Sequence, residues 1–179
     1  MWVKVIFIFL AFNSQLAYSS QMCVPNYFKV VSKKFDVPED VVYSLALQES
    51  AVKMNNGKVL PWPYSANYAG ETFLYRNYED MVASISKMVS SGKTAVDVGY
   101  FQVNWKWHKD KAKTVVHLSH PSINARVAMG ILKNKYSKYG DWVVAAGRYH
   151  NPFNNKGKAD RYAERYGKWL HRVRNGYGC

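Results

Sequence analysis

Ala46-Leu47-Gln48-Glu49-Ser50 places one acidic side chain at the end of an otherwise apolar run. Upstream, Pro38-Glu39-Asp40 has the composition of a helix's first turn: proline is tolerated there, and acids suit the positive end of the helix dipole. From Pro38 the apolar positions Val42, Leu45 and Ala46 fall on one face. Glu49 follows Val42 by seven residues and points the same way. A carboxyl group facing a core loses hydration and resists ionisation, so its pKa should rise from the free value of about 4.3. A carboxylic acid that keeps its proton near neutral pH can give it to a leaving oxygen. The alternative for this segment alone is a solvated Glu at a helix end.

The rest of the chain narrows the choice. Its 179 residues, 48% of them hydrophobic, suit one globular domain with a substantial core. Fourteen Tyr and six Trp either fill that core or line a groove for sugars, bases or peptides. A net charge of +13 attracts anions at long range: nucleic acid, anionic lipid or acidic wall polymer. The Lys and Arg residues are scattered among aromatics and form no basic arm, zinc finger or helix-turn-helix signature, so nucleic acid is not the expected partner.

The first nineteen residues read as an export signal. Lys4 supplies the positive start, Val5 to Phe12 the apolar core and Ala17-Tyr18-Ser19 a small-x-small cleavage site, giving a catalytic chain of residues 20–179. The apolar run is too short to span a bilayer, and no later segment is longer, so no membrane span is expected after cleavage. Cys23 and Cys179 are the two cysteines. In an oxidising compartment they would form a disulfide tying the termini together, contributing up to about 4–5 kcal/mol in the chain-entropy model; two free thiols are the alternative.

In chain order, Val24, Tyr27, Phe28, Val31 and Phe35 predict a helix over about Pro25–Phe35, ahead of the Glu49 helix. Asn55-Asn56-Gly57 and Pro61-Trp62-Pro63 are loop signals, and residues 67–75 predict a small hairpin turning at Ala69-Gly70. Asn77 caps a helix that Gly92 ends. In Asp97 to Trp105, Gln102 and Asn104 alternate with Phe101 and Val103 as in a short extended piece, and amides so placed can bond sugar acetamido and hydroxyl groups. Three more helices follow: one ending at Gly140, one capped by Asp141 and one after Gly157. The chain reads as one mainly helical domain, without repeats or linkers.

Four segments, in order, resemble the catalytic domain of the soluble-type lytic transglycosylases: Gln48-Glu49-Ser50; Gly99-Tyr100-Phe101-Gln102-Val103-Asn104; Ala145-Ala146-Gly147-Arg148-Tyr149-His150-Asn151; and Arg161-Tyr162-Ala163. The resemblance runs from about Val24 to Leu170 and is nearest to a subset with a Pro-Trp-Pro segment and hairpin. Tyr100-Phe101 and His150 depart from the commoner Leu-Met and Asn. The resemblance implies a goose-type lysozyme-like fold, mainly α, with a small hairpin insertion flanking the cleft.

It also implies the chemistry. The family cleaves the bond between N-acetylmuramic acid and N-acetylglucosamine in peptidoglycan without consuming water, leaving a 1,6-anhydro end. One carboxyl group suffices, and Glu49 would be it, where an ordinary glycosidase needs two. Ser50, Gln102, Asn104, Tyr149, His150 and Tyr162 would bind substrate, Ser50 bonding Glu49 or an acetamido group. Core packing is the alternative for both tyrosines. Asp97 is the rival second carboxylate; the expectation is that it fixes the turn before Gly99. If it instead faced Glu49 across a water, a lysozyme-like muramidase becomes the alternative, with a non-catalytic basic wall-binding protein as a third reading. Neither cofactor nor metal is expected, since His117-x-x-His120 lacks the partners of a zinc site. The enzyme would be a periplasmic or secreted monomer acting on glycan strands, in the service of a secretion, conjugation or flagellar machine.

Overall fold

The computed structural model describes residues 23–176. The export-signal reading and Cys179 lie outside them, so neither the leader nor the expected Cys23–Cys179 pairing is described. Helix α1 (Asn26–Phe35) packs on α2 (Glu39–Ser50). Two hairpin strands follow, β1 (Ala51–Lys53) and β2 (Val59–Pro61), then β3 (Ser65–Tyr68), β4 (Glu71–Leu74) and α3 (Tyr78–Ser90). Beyond β5 (Val96–Val98) and β6 (Val103–Asn104) come the short helices α4 (Trp105–His108) and α5 (Val115–Ser119), joined by a 3-10 turn at Lys109–Lys111. The chain closes with α6 (Pro121–Tyr139), α7 (Trp142–His150) and α8 (Lys158–Asn175).

The caps anticipated from sequence form. Asn77 accepts from Asp80 N at 2.8 Å and Asp141 from Val143 N at 2.7 Å, and Gly140 ends α6 in the left-handed conformation. Helix α2 differs from the amphipathic helix expected. Val41 to Leu47 are all buried, so α2 is a central helix, enclosed by α1, α8 and β2, and no single face defines it. Glu49 is placed by the end of this helix, where its last turn leaves the core.

The β structure is larger than the small hairpin expected. The β3–β4 hairpin does turn at Ala69-Gly70, both with positive φ. It is extended by β5 and β6 into a four-stranded antiparallel sheet, β4-β3-β5-β6, and β1 pairs with β2 in a second hairpin. Strands of two to four residues carry too few alternations to be seen as a periodic pattern. The sheet stands across a cleft from the helical half, with Asn67 opposite Asp97 and Asp97 opposite Asn104 in register.

Candidate active site

The cleft encloses about 1190 Å³. Its helical wall carries Glu49 from the end of α2 and Tyr149 and His150 from the end of α7; its sheet wall carries Asn67, Asp97 and Asn104. Gln102 lies between the two walls, on the turn that joins β5 to β6.

Glu49 is half-buried and opens to the cleft. The Tyr162 hydroxyl, from α8, donates to Glu49 Oε1 at 2.6 Å. Desolvation pushes the Glu49 pKa up to about 8; the Tyr162 bond opposes that rise, the Asp97 charge adds to it and Arg165 opposes it. The acid is therefore protonated at neutral pH. Tyr162 occupies Oε1, and among the described residues Oε2 has no hydrogen-bond partner, so the acidic proton is free to face the cleft. Tyr162 is itself 2% exposed, and burial followed by the Glu49 charge holds its phenol well above the ordinary range, so it stays a donor.

Close packing brings Tyr149 and Tyr162 to the same place. The α7–α8 crossing is tight at Gly147, where an added Cβ would lie 2.5 Å from Ala159 O. Tyr149 OH donates to Phe101 O at 2.7 Å, and burial raises its pKa well above normal, with Glu49 the next cause. His150 is exposed and stacks flat on Tyr162, with ring centroids 4.6 Å apart. It caps the phenol that holds Glu49.

Several expectations need correction. Ser50 does not bond Glu49: its hydroxyl donates to main-chain oxygens, Ala46 O at 3.1 Å and Tyr100 O at 2.8 Å, because the helix end buries it beneath the turn that follows β5. Gln102 is not in an extended piece. It sits in a turn with φ 44, its N–H bonded to Gly99 O at 3.1 Å, and β6 begins only at Val103. Its Nε2 donates to Gly99 O at 2.9 Å and Ser65 Oγ at 3.1 Å, so most of its donor capacity holds the turn.

Asp97 does not fix the turn before Gly99. It is on β5, lines the cleft and accepts from Asn104 Nδ2 at 2.8 Å, while burial raises its pKa to about 6, opposed by that bond. The strand alternation that buries Val96 and Val98 turns Asp97 the other way. Trp62 is absent from the cleft lining and donates its Nε1–H to Tyr75 O at 2.9 Å, packing the loop.

Asn124 was missed. This fully buried residue of α6 accepts from Phe101 N at 3.1 Å and donates to Val98 O at 2.9 Å, stapling the Gly99–Gln102 turn. Gly99 permits the approach: its φ is +76, and a Cβ there would meet the Asn124 amide at 3.0 Å. The signal in the sequence was a polar residue inside the apolar pattern of α6. Exposed Trp107 and Phe153, at 71% and 85%, also line the cleft and offer ring faces to a sugar.

Among the described residues no group of three His, Cys, Asp or Glu is placed to hold a metal, and no helix is long and apolar enough to cross a membrane. No curated protein and no solved structure matches the chain. The family model of the transglycosylase SLT domain matches residues 26–172. This match runs from the start of α1 through most of α8 and includes every helix that lines the cleft. The chain thus belongs to the transglycosylase SLT domain family, the peptidoglycan lytic transglycosylases.

Proposed function

We propose that Glu49 is the acid and then the base of a non-hydrolytic cleavage of the glycan strand. The Glu49 proton passes to the glycosidic oxygen as its bond to C1 of the muramoyl residue breaks. The Glu49 carboxylate then takes the proton of the C6 hydroxyl as O6 bonds to C1, which closes the 1,6-anhydro ring. The acid is regenerated and no water is consumed. The observation that carries this reading is a carboxyl group in a cleft, held by Tyr162 at 2.6 Å and still protonated to about pH 8. Gln102, Asn104, Tyr149 and His150 line the same cleft and support a sugar-binding role for these residues. Ser50, bonded to backbone, would position the end of α2.

A second reading rests on Asp97. Its pKa near 6 lies below that of Glu49 near 8, so at pH 7 one cleft holds an ionised and a protonated carboxyl. That division of roles suits hydrolysis by two carboxyls as well as stabilisation of charge at C1. Digestion of purified sacculi followed by mass analysis separates the two. Anhydro ends that survive Asp97→Asn support the single-acid scheme; reducing ends that vanish in Asp97→Asn support hydrolysis. An export leader over residues 1–19, a Cys23–Cys179 bridge, a monomeric state and service to an envelope-spanning machine belong to this proposal. The leader is testable by N-terminal sequencing of the exported chain.

A further inference from the structure

His108 and Ile131 line two spaces at once: the cleft and a second recess of about 480 Å³. The floor of that recess is one face of α6. Arg126, Gly130 and Asn134 follow at four-residue steps, with Val127, Ile131 and Lys135 beside them. The wall is His108, at the end of α4, and Lys111 in the next turn. Among the described residues three cations line it and no acid does.

Among the described residues two of the three cations already have hydrogen-bond partners, and the third, Lys135, has none. Lys111 is paired with exposed Asp110 at 3.3 Å, and Arg126 Nη2 donates to Lys111 O at 2.7 Å, which ties the wall to the floor. Lys135 is half-buried and forms neither an ion pair nor a hydrogen bond among the described residues. His108 Nδ1 is closed to solvent and has no hydrogen-bond partner among the described residues, so the imidazole serves as wall and not as a ligand. Gly130 has a second meaning. A helix-interior glycine costs about 1 kcal/mol against alanine, yet a Cβ there would meet nothing within 4 Å. Packing does not require the glycine; its effect is to keep the recess open.

We propose that this recess binds a carboxylate of the stem peptide carried by the strand in the cleft, a proposal that rests on the peptidoglycan reading. In an intact strand the lactyl carboxyl of each muramoyl residue is consumed in an amide bond, so the free carboxylates belong to the peptide. A peptide leaving the cleft past His108 and Ile131 brings a carboxylate to Lys135 and Arg126. The site thereby reads peptide charge while the cleft reads the sugar.

The test uses the full mature chain and soluble glycan strands in three forms: native stem peptides, the same peptides with their carboxylates amidated, and strands stripped of peptide by an amidase. Wild-type KM is expected to rise about tenfold on amidated strands, the worth of one charge-assisted contact. Lys135→Ala should raise KM similarly on native strands and add nothing further on amidated ones, and Lys135→Arg should restore it. Gly130→Leu, which fills open space, should reproduce the loss without unfolding. Losses that multiply, or a KM indifferent to both changes, would overturn the proposal. So would tight binding of stripped strands, since these carry only the freed lactyl carboxylate. Absence of any cleavage of native strands by the wild type would instead overturn the peptidoglycan reading itself.

Discussion

At the scale of single residues, the account turns on how two neighbours tune Glu49. Tyr162 lowers its pKa and Asp97 raises it. Removing either should therefore move the alkaline limb of activity in opposite directions. Tyr162→Phe removes the stabilising donor, so Glu49 holds its proton to higher pH and the limb, expected near 8, moves up. Asp97→Asn removes a like charge, so Glu49 ionises more readily and the limb moves down. A kcat/KM profile against pH measures both. The same profile reports on Asp97: an acid limb near 6 that disappears in Asp97→Asn would mean its carboxylate takes part in the reaction. Much of this was legible in the chain. An acid at the end of an apolar run announced Glu49, and motif order announced Tyr149 and Tyr162. What was not legible is which group each hydroxyl reaches. Ser50 and Tyr162 both carry hydroxyls in family motifs, yet one bonds backbone and the other bonds the acid. Only the packing of α2 against α8 decides that.

At the scale of elements, the tight crossing of α7 on α8 fixes both tyrosines. Gly147→Ala would press a Cβ against Ala159 O and Ala163 Cβ and force the helices apart. A loss of about 1–3 kcal/mol is expected, as for overpacked cores, with activity falling further than stability because Tyr149 and Tyr162 ride on the two helices. Thermal melts together with turnover on sacculi check this. Asn124→Ala should cost about 2–3 kcal/mol, since Phe101 N–H and Val98 C=O would lose a buried partner; denaturant unfolding gives the value. The longer helices were readable because caps and periodicity span nine or more residues: Asn77, Gly140 and Asp141 each act where their neighbours implied. The sheet was not, because β5 and β6 are three and two residues long and are held by a turn that Asn124 staples from α6. Long-range staples of this kind leave no periodic trace.

At the scale of the whole molecule, an acid that is protonated when folded and ionised when unfolded makes stability depend on pH. Glu49 holds its proton up to about 8 in the folded chain, against about 4.3 when exposed. Between those values the folded state binds more protons than the unfolded one, so stability falls as pH rises. Asp97 acts in the same direction up to about 6. Glu49→Gln should relieve the larger share: its Tm advantage over wild type should be near zero at pH 4 and grow toward pH 8, with roughly 2–4 °C expected for each kcal/mol recovered. Melting curves at the two pH values test this. The basic surface adds a second dependence. With a net charge of +13, association with an anionic wall should weaken as salt rises. The chemistry of one acid remains the centre of the account, and the mass of the fragments released from purified sacculi tests it most directly. Fragments ending in 1,6-anhydromuramic acid, reduced about 10²–10⁴-fold by Glu49→Gln, are the result expected. Reducing ends from the wild type, or anhydro fragments undiminished in Glu49→Gln, would contradict it.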